Sequence, residues 1–277
     1  MILFPNCKIN LGLSVLGKRR DGFHELETVF YPLPLTDVLE VIAANQEDTD
    51  NASFFTASGL PVPGDLQDNL CVKAYNLLKE GFSLLPAIQM HLHKVIPMGA
   101  GLGGGSADGA CALQLINDLF NLQLTTNQLI QYAARLGSDC PFFIINQPGV
   151  AKGRGEILEE INLNLGDLRF VLVCPGIHIN TGWAFSQLTM QLPESPPVPV
   201  QEAIRQPVEV WKEILVNDFE KPVFRHYPAI EKIKNRLYEQ GALYASMSGS
   251  GSSLFGIFNR DTTPDLAAWK EHTTYLL

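Results

Sequence analysis

Hydrophobic and polar residues alternate with a period of two near the start of the chain. Lys8 and Asn10 lie next to each other on the polar face of this pattern, which predicts a β-strand over residues 7–15. Such a face is typical of a solvated surface, because surface lysines are common, and a ligand contact is the alternative. The opposite, apolar face consists of Cys7, Ile9, Leu11, Leu13 and Val15.

The remaining pattern predicts strands mixed with helices. Asp21-Gly22 is a hairpin signal, so a second strand is expected from near Glu25 to Tyr31. Further strands are predicted over residues 38–42, 53–56, 88–94 and 169–174. Helical spacing follows Asn69 and Ser106 and recurs over residues 127–136, 183–188, 208–216 and 229–240. A Ser/Gly turn over residues 248–252 is a second small-residue loop suited to a close approach to a ligand.

A glycine-rich stretch over residues 97–108 joins the predicted strand 88–94 to a helix that Ser106 is expected to cap. The N–H groups of such a loop, together with the positive end of the helix dipole, favour an anion such as phosphate. A flexible or close-packed turn is the alternative, and it explains five glycines poorly because each costs backbone entropy. The glycines are Gly99, Gly101, Gly103, Gly104 and Gly105.

The stretch does not match the two commonest phosphate-binding motifs. A Walker A loop needs a lysine after its last glycine, and none is present here. The dinucleotide fingerprint G-x-G-x-x-G occurs from Gly99 to Gly104, but the nearest candidate for its acidic residue, Asp118, lies inside the helical pattern. A Rossmann domain is therefore disfavoured.

Asp139 stands at the predicted entrance of a short helix, because Pro141 suits a first helical turn. It is either a capping acid or a carboxylate that accepts a proton from a substrate hydroxyl. Phe23 and His24 are adjacent at a strand entrance, where they either stack on a planar ring or are an ordinary half-buried pair. Thr181 is expected to cap a later helix.

Composition narrows the class of protein. With 277 residues, 46% hydrophobic and 18% charged, the chain has enough apolar material for an ample core and is not disordered. Its net charge of −9 speaks against a nucleic-acid or membrane partner. Five scattered cysteines and the absence of a signal-peptide pattern indicate a cytoplasmic protein with reduced thiols. A domain boundary is expected near residues 162–166, and the proline-rich residues 192–200 are expected to form an exposed loop.

Several separated stretches together resemble the GHMP family of small-molecule kinases, and they span nearly the whole chain. The glycine-rich stretch is typical of the superfamily. The N-terminal lysine and the Asp-Gly-aromatic-His sequence are typical of the subfamily that acts on 4-diphosphocytidyl-2-C-methyl-D-erythritol. The matching stretches are residues 5–11, 20–24, 97–106, 136–142, 217–220 and 248–251.

The resemblance implies an α+β fold with two domains. Residues 1–160 would form the GHMP kinase N-terminal, ATP-binding domain, similar to domain 2 of ribosomal protein S5. Residues 161–277 would form a ferredoxin-like C-terminal substrate domain. It also implies a small-molecule substrate, no nucleic-acid or membrane partner, and a monomer or weak homodimer.

The same resemblance implies phosphorylation of the 2-hydroxyl of that substrate with ATP and Mg²⁺, in the non-mevalonate route to isoprenoid precursors. Asp139 would be the general base and Lys8 its charge partner, with no residue assigned as a metal ligand. Asn10, Phe23, His24 and Thr181 would bind the substrate. The residues implied to bind ATP are Lys94, Pro97, Met98, Gly99, Ala100, Gly101, Leu102, Gly103, Gly104, Gly105, Ser106 and Ala107.

Two alternatives remain open. The first is another GHMP kinase, acting on homoserine, mevalonate or a sugar, and the second is a non-catalytic nucleotide-binding protein. The chain also departs from the subfamily pattern, since Phe23 stands where tyrosine is frequent and Asn6-Cys7 replaces the usual pair before Lys8. The first change keeps an aromatic ring and loses one hydroxyl.

Overall fold

The computed structural model describes residues 1–44, 54–188 and 198–277. These residues form two compact units that alternate along the chain. The first unit contains Met1–Cys7, Pro34–Met98 and Gly103–Gln147, and the second contains Lys8–Leu33, Gly99–Leu102 and Pro148–Leu277. The glycine-rich stretch therefore begins in the first unit, passes through the second over Gly99–Leu102 and returns to the first at Gly103. The predicted proline-rich loop lies, up to residue 197, outside the described residues.

Among its described residues, the first unit contains one four-stranded sheet, one 3₁₀ helix and four α-helices. The sheet order is β1 (Ile2–Leu3), β4 (Val38–Ala43), β6 (Ile88–Lys94) and β5 (Phe55–Gly59), with β5 and β6 parallel and the other neighbours antiparallel. A short 3₁₀ helix, Leu66–Asp68, precedes the first α-helix. The helices are α1 (Leu70–Gly81), α2 (Gly104–Leu119), α3 (Thr126–Leu136) and α4 (Cys140–Ile145).

Small residues let α2 lie close to α1. A Cβ on Gly109 would come within 2.8 Å of the Leu70 Cβ. Ala107, Ala110 and Ala112 are fully buried on α2, as their small size and helical spacing indicate. The helix predicted over residues 127–136 begins one residue earlier in the structure. Thr126 is its first residue, and Thr125 caps it through a capping box with Gln128.

Among the described residues, the second unit contains most of one four-stranded sheet and all of another. One has the order β2 (Asn6–Lys18), β3 (His24–Thr36), β7 (Gly149–Gly153) and β8 (Ile157–Glu160). The other has the antiparallel order β10 (Tyr244–Met247), β11 (Leu254–Asn259), β9 (Leu168–Cys174) and β12 (Thr273–Leu276). The helices are α5 (Thr181–Ser186), α6 (Val200–Ala203), α7 (Trp211–Ile214), α8 (Glu220–His226) and α9 (Pro228–Glu239), with 3₁₀ turns at Val208–Val210 and Leu266–Trp269.

The core of the second unit lies between its second sheet and the helices α8 and α9. Its fully buried side chains include Val173, Val223, Ile230, Leu237 and Phe258.

The helix predicted over residues 208–216 is wrong in length, because the structure has one 3₁₀ turn followed by the four-residue α7. The mixture of helices with largely antiparallel sheets is of the predicted α+β class. In the part of the chain that the structure describes, no helix is long and apolar enough to span a bilayer.

Candidate active site

Lys8 and Asn10 occupy a strand that is buried on both faces. Their exposed fractions are 3% and 2%, so the interpretation of a solvated polar face is wrong. The Lys8 Nζ donates to the Asn10 Oδ1 at 2.6 Å and lies 4.6 Å from the centroid of the Phe30 ring. The Asn10 Nδ2 in turn donates to the Thr28 Oγ1 at 3.1 Å. A buried ammonium group needs such partners, because an unpaired charge in the interior is strongly unfavourable.

The second-unit part of the glycine-rich stretch is bound to this strand. The Lys8 backbone N donates to the Leu102 carbonyl at 2.9 Å. Gly101 has φ +81°, and a Cβ there would collide with the Ser248 carbonyl oxygen. The Ser248 hydroxyl donates to the Gly101 carbonyl at 2.8 Å and accepts from the Asn10 backbone N at 3.2 Å. Gly101 is therefore required by close packing, as the close-packed-turn alternative proposes for the whole stretch.

The Ser/Gly turn over residues 248–252 is held by residues 217–220, for which the sequence alone indicated no role. The Asn217 amide donates to the carbonyls of Met247 and Gly249 at 2.8 and 2.9 Å. The Glu220 carboxylate accepts from the Met247 backbone N at 2.8 Å and pairs with Lys234 at 2.6 Å. Residues 217–220 thus position the turn that contacts Gly101.

The N-terminus of α2, in the first unit, has no side-chain cap among the described residues. Gly103, with φ +71°, occupies the N-cap position, and Ser106 lies within the first turn, so the prediction that Ser106 caps this helix is wrong. An uncapped first turn keeps N–H groups available for an anion. Gly104 is needed for packing, because a Cβ there would lie 2.8 Å from the Ile96 side chain and 3.0 Å from the Lys94 Nζ.

Lys94 lies beneath this helix start and forms two buried ion pairs. Its Nζ is 2.5 Å from the Asp37 Oδ2 and 2.7 Å from the Asp108 Oδ2. The Asp37 Oδ1 also accepts from the backbone N atoms of Val95 and Ile96 at 2.6 and 2.8 Å. The three charged side chains, which we term the Asp37–Lys94–Asp108 triad, therefore fasten the chain just before the glycine-rich stretch. Whether Lys94 borders a nucleotide stays a prediction.

Burial and the two carboxylates act in opposite directions on the triad. Burial raises the pKa of Asp108 to about 7, against the opposing effect of the Lys94 charge. Burial by itself lowers the pKa of Lys94, but Asp108 and Asp37 together raise it above its ordinary value. The two carboxylates therefore favour the charged form of Lys94, whereas burial favours the protonated form of Asp108.

We expect Asp108→Asn to flatten the pH dependence of stability. A carboxyl group whose pKa is higher in the folded than in the unfolded protein stabilises the fold at pH values below its pKa in the unfolded chain. This stabilisation is lost as the pH rises through the pKa of the group in the folded protein. The wild-type free energy of unfolding should therefore fall between about pH 4 and pH 7, and the variant should lose part of that slope. Urea unfolding at pH 5, 6, 7 and 8 measures how the free energy of unfolding depends on pH. Asp118→Asn, at an exposed position on the same helix, is the control, and equal slopes in all three proteins would contradict the expectation.

A cavity of about 110 Å³ lies in the first unit next to the first turn of α2. Asp108 contributes to its lining, and the Asp108 Oδ1 has no hydrogen-bond partner among the described residues. Of the residues that line it, the sequence indicated only Met98 and Gly105 as ligand contacts; Asp108 is the last residue of the glycine-rich stretch, and the others come from separate segments. The complete lining is Val62, Pro63, Asp68, Asn69, Leu70, Leu92, Met98, Gly105 and Asp108.

Asp139 occupies the N-cap position of α4, also in the first unit. Its backbone is helical, with φ −85° and ψ −16°, and its side chain makes no capping hydrogen bond within the described residues. The capping-acid interpretation is therefore wrong for the side chain. Pro141 lies in the first helical turn, as predicted. The pairing of Asp139 with Lys8 stays a prediction.

The predicted substrate residues all lie in the second unit. Phe23 is 53% exposed, and the Arg154 guanidinium lies over its ring at 4.8 Å from the centroid. The His24 ring stacks on Phe185, with centroids 4.5 Å apart and planes within 14°. The Thr181 hydroxyl is exposed and lies 3.0 Å from the Ser250 hydroxyl. Asn180, not Thr181, caps α5, which corrects that prediction.

Arg154 and Phe185 were not identified from the sequence. Phe185 lies four residues after Thr181, and this helical spacing could have indicated that the two side chains share one face of a helix. Arg154 stands between two glycines, which gives no indication that it contacts an aromatic ring.

Across residues 1–44, 54–188 and 198–277, no three His, Cys, Asp or Glu side chains converge in a way that could hold a metal ion. Mg²⁺ in nucleotide-dependent enzymes is usually held by one or two carboxylates together with phosphates and waters, so it does not need such a cluster. The five cysteines all lie among the described residues, and none forms a disulfide. Burial raises the pKa of the Cys111 and Cys140 thiols to about 12, which makes them poor nucleophiles.

Comparisons with known proteins agree on one family. Residues 69–147 match the GHMP kinases N terminal domain, and residues 200–269 match the GHMP kinases C terminal domain. A 4-diphosphocytidyl-2-C-methyl-D-erythritol kinase of Bacteroides fragilis is 51% identical over 259 residues, which cover 94% of this chain and 92% of that protein.

Solved structures show the same fold. A crystal structure of a 4-(cytidine 5'-diphospho)-2C-methyl-D-erythritol kinase, 31% identical, matches all of this chain and 98% of its own with a TM-score of 0.82. The mevalonate kinase of Methanococcus jannaschii, 11% identical, matches with a TM-score of 0.70 over all of this chain and 96% of its own, a likeness of fold alone. The predicted family and fold class are confirmed: the chain belongs to the GHMP kinases and, within them, to the family of the 4-diphosphocytidyl-2-C-methyl-D-erythritol kinases.

Proposed function

We propose that this protein transfers the γ-phosphoryl group of ATP to the 2-hydroxyl of 4-diphosphocytidyl-2-C-methyl-D-erythritol. The observation that carries the proposal is the buried Lys8, whose ammonium is held by Asn10 and whose own backbone binds the glycine-rich stretch at Leu102. The near-complete match to named relatives supports the choice of substrate. The product belongs to the non-mevalonate route to isoprenoid precursors.

Positioning and charge stabilisation account for most of the chemistry of phosphoryl transfer. In this proposal Asp139 accepts the proton of the substrate hydroxyl as that oxygen attacks phosphorus. Lys8 keeps Asp139 ionised and orients the hydroxyl.

The nucleotide is assigned to residues 97–107 and Lys94. The uncapped first turn of α2 supports binding of phosphate oxygens, and the neighbouring cavity of about 110 Å³, lined largely by apolar side chains, supports a place for the base. Mg²⁺ bound with ATP would neutralise phosphate charge. The described residues contain no cluster of three His, Cys, Asp or Glu side chains, so they fit a Mg²⁺ ion that binds together with the nucleotide better than one held by protein ligands alone.

The cytidine end of the substrate is assigned to Phe23 and His24. Phe23 presents an exposed ring, and the stacked pair of His24 and Phe185 places a second aromatic surface in the same unit. Aromatic rings bind planar bases by stacking. Asn10 and Thr181 are assigned to the erythritol phosphate side.

The remaining assignments are also proposals. We infer a domain boundary near residue 160 and a cytoplasmic location, the latter because none of the five cysteines is in a disulfide. A monomer or weak homodimer with no nucleic-acid or membrane partner fits the net charge of −9.

A substrate panel tests the reaction. The purified protein with ATP and Mg²⁺ is expected to release ADP rapidly with the cytidine diphosphate substrate and at background rate with homoserine, mevalonate or galactose. ³¹P NMR should show one new phosphate monoester on the 2-hydroxyl. Turnover of homoserine alone would refute the substrate, and ATP binding without any turnover would favour the non-catalytic alternative.

A further inference from the structure

Phe23 lies at the tip of the hairpin between β2 and β3, where its backbone is well anchored. The Phe23 backbone N donates to the Asp21 Oδ1 at 3.1 Å, and its carbonyl accepts from the Arg19 backbone N at 2.8 Å. The side chain, by contrast, is more than half exposed. A phenylalanine has no hydroxyl that could fix the orientation of its ring through a hydrogen bond. Any contact that orients this ring must therefore be made with its face or edge.

Arg154 supplies that contact from the turn between β7 and β8. Its guanidinium carbon lies over the Phe23 ring at 4.8 Å from the centroid, within the range of a cation–π interaction. Because the guanidinium covers one face of the ring, a planar base can stack on the opposite face.

Arg154 is itself held in place by neighbouring acidic groups. The Glu156 carboxylate accepts from the Arg154 backbone N at 2.5 Å and from its Nε at 3.4 Å. The Glu25 carboxylate joins the two turns, since it accepts from the Gly153 backbone N at 3.1 Å and pairs with Arg19 at 2.8 Å. The turn that carries Arg154 is thus connected to the hairpin that carries Phe23.

We propose that Arg154 is a positioning residue for substrate selection, which holds the Phe23 ring by cation–π contact so that it stacks on the cytosine base. This inference rests on the proposed function and adds a residue to it. A purely structural role, in which Arg154 only ties the two turns together, is the competing explanation. That role would alter stability and every kinetic constant, whereas positioning Phe23 affects only the cytidine end.

The test compares Arg154→Met, Arg154→Lys and Phe23→Leu with the wild type. Arg154→Met is expected to raise the KM for the cytidine diphosphate substrate by about 3- to 10-fold, the effect of losing one partly exposed cation–π contact. The kcat and the KM for ATP should stay within about twofold. Arg154→Lys keeps a cation over the ring and should recover most of the loss. Arg135→Met, an exposed arginine on α3 paired with Glu80, is the matched control and should behave as the wild type.

A double-mutant cycle separates the two explanations. In the Phe23→Leu background, Arg154→Met should add less than about twofold, because the ring it positions is gone. Full additivity, or a parallel change in kcat and in the KM for ATP, would overturn the proposal in favour of the structural role. If the wild type does not phosphorylate the cytidine substrate, the proposed function and this inference both fail. Normal wild-type turnover with an unchanged KM in Arg154→Met overturns this inference alone.

Discussion

Replacing Asp139 by Asn is expected to lower kcat by two orders of magnitude or more while ATP binding persists. Asn has nearly the same shape, but its amide cannot accept the hydroxyl proton, and a positioned general base contributes roughly 10²- to 10⁴-fold. The α4 helix should remain intact, because the Asp139 side chain makes no capping bond in the part of the chain described by the structure. Steady-state ADP release gives kcat, and calorimetric titration with ATP gives the binding constant.

The control for Asp139→Asn is Asp261→Asn, a change of the same chemistry at an exposed position near the C-terminus. It should keep wild-type kcat. Thermal unfolding of both variants shows whether any loss of turnover arises from misfolding. If Asp139→Asn turns over at the wild-type rate, Asp139 is a residue at the start of a helix without a role in proton transfer.

Lys94→Met is expected to reduce the free energy of unfolding by about 3–5 kcal/mol, the usual effect of breaking a buried ion pair by removing one partner. Both carboxylates of the Asp37–Lys94–Asp108 triad would then be left without their cation in a site that excludes solvent. Met has a similar length and fills the space, so the loss reports the charge. Urea unfolding at pH 7, extrapolated to water, measures it.

The destabilisation by Lys94→Met should be smaller at pH 5.5 than at pH 7. Burial raises the pKa of Asp108 to about 7 even beside Lys94, and protonation removes one of the stranded charges at the lower pH. Lys73→Met is the matched control, because the Lys73–Asp68 pair is exposed and should contribute less than about 1 kcal/mol. A loss below 1 kcal/mol in Lys94→Met would show that the triad contributes little to holding the start of α2.

The glycine-rich stretch shows where sequence reasoning succeeded and where it failed. Counting glycines after a predicted strand located the junction between β6 and α2 correctly. The same count treated the five glycines as equivalent, whereas the structure requires Gly101 and Gly104 for packing against Ser248, Ile96 and Lys94. Packing partners come from distant segments, so no local pattern could separate these glycines from those that are available to a ligand.

The ion pairs of the triad and the contact between Arg154 and Phe23 could not be predicted from the sequence for a related reason. Asp37, Lys94 and Asp108 are separated by 57 and 14 residues, and each looks like an ordinary surface charge when read alone. Because the three side chains are buried together, they form ion pairs with one another, and their burial depends on segments that are distant in the sequence.

By itself, the sequence determined the family, the α+β class and the candidate chemical groups, because motifs and hydrophobic periodicity are properties of neighbouring residues. Period-two alternation correctly put Lys8 and Asn10 on one face of a strand. Only the tertiary structure decided that this face is buried, that Lys94 lies between two carboxylates, and that Arg154 covers the ring of Phe23. Alternation states which side chains share a face, whereas the environment of that face, and hence its charge and reactivity, is set by segments far away in the chain.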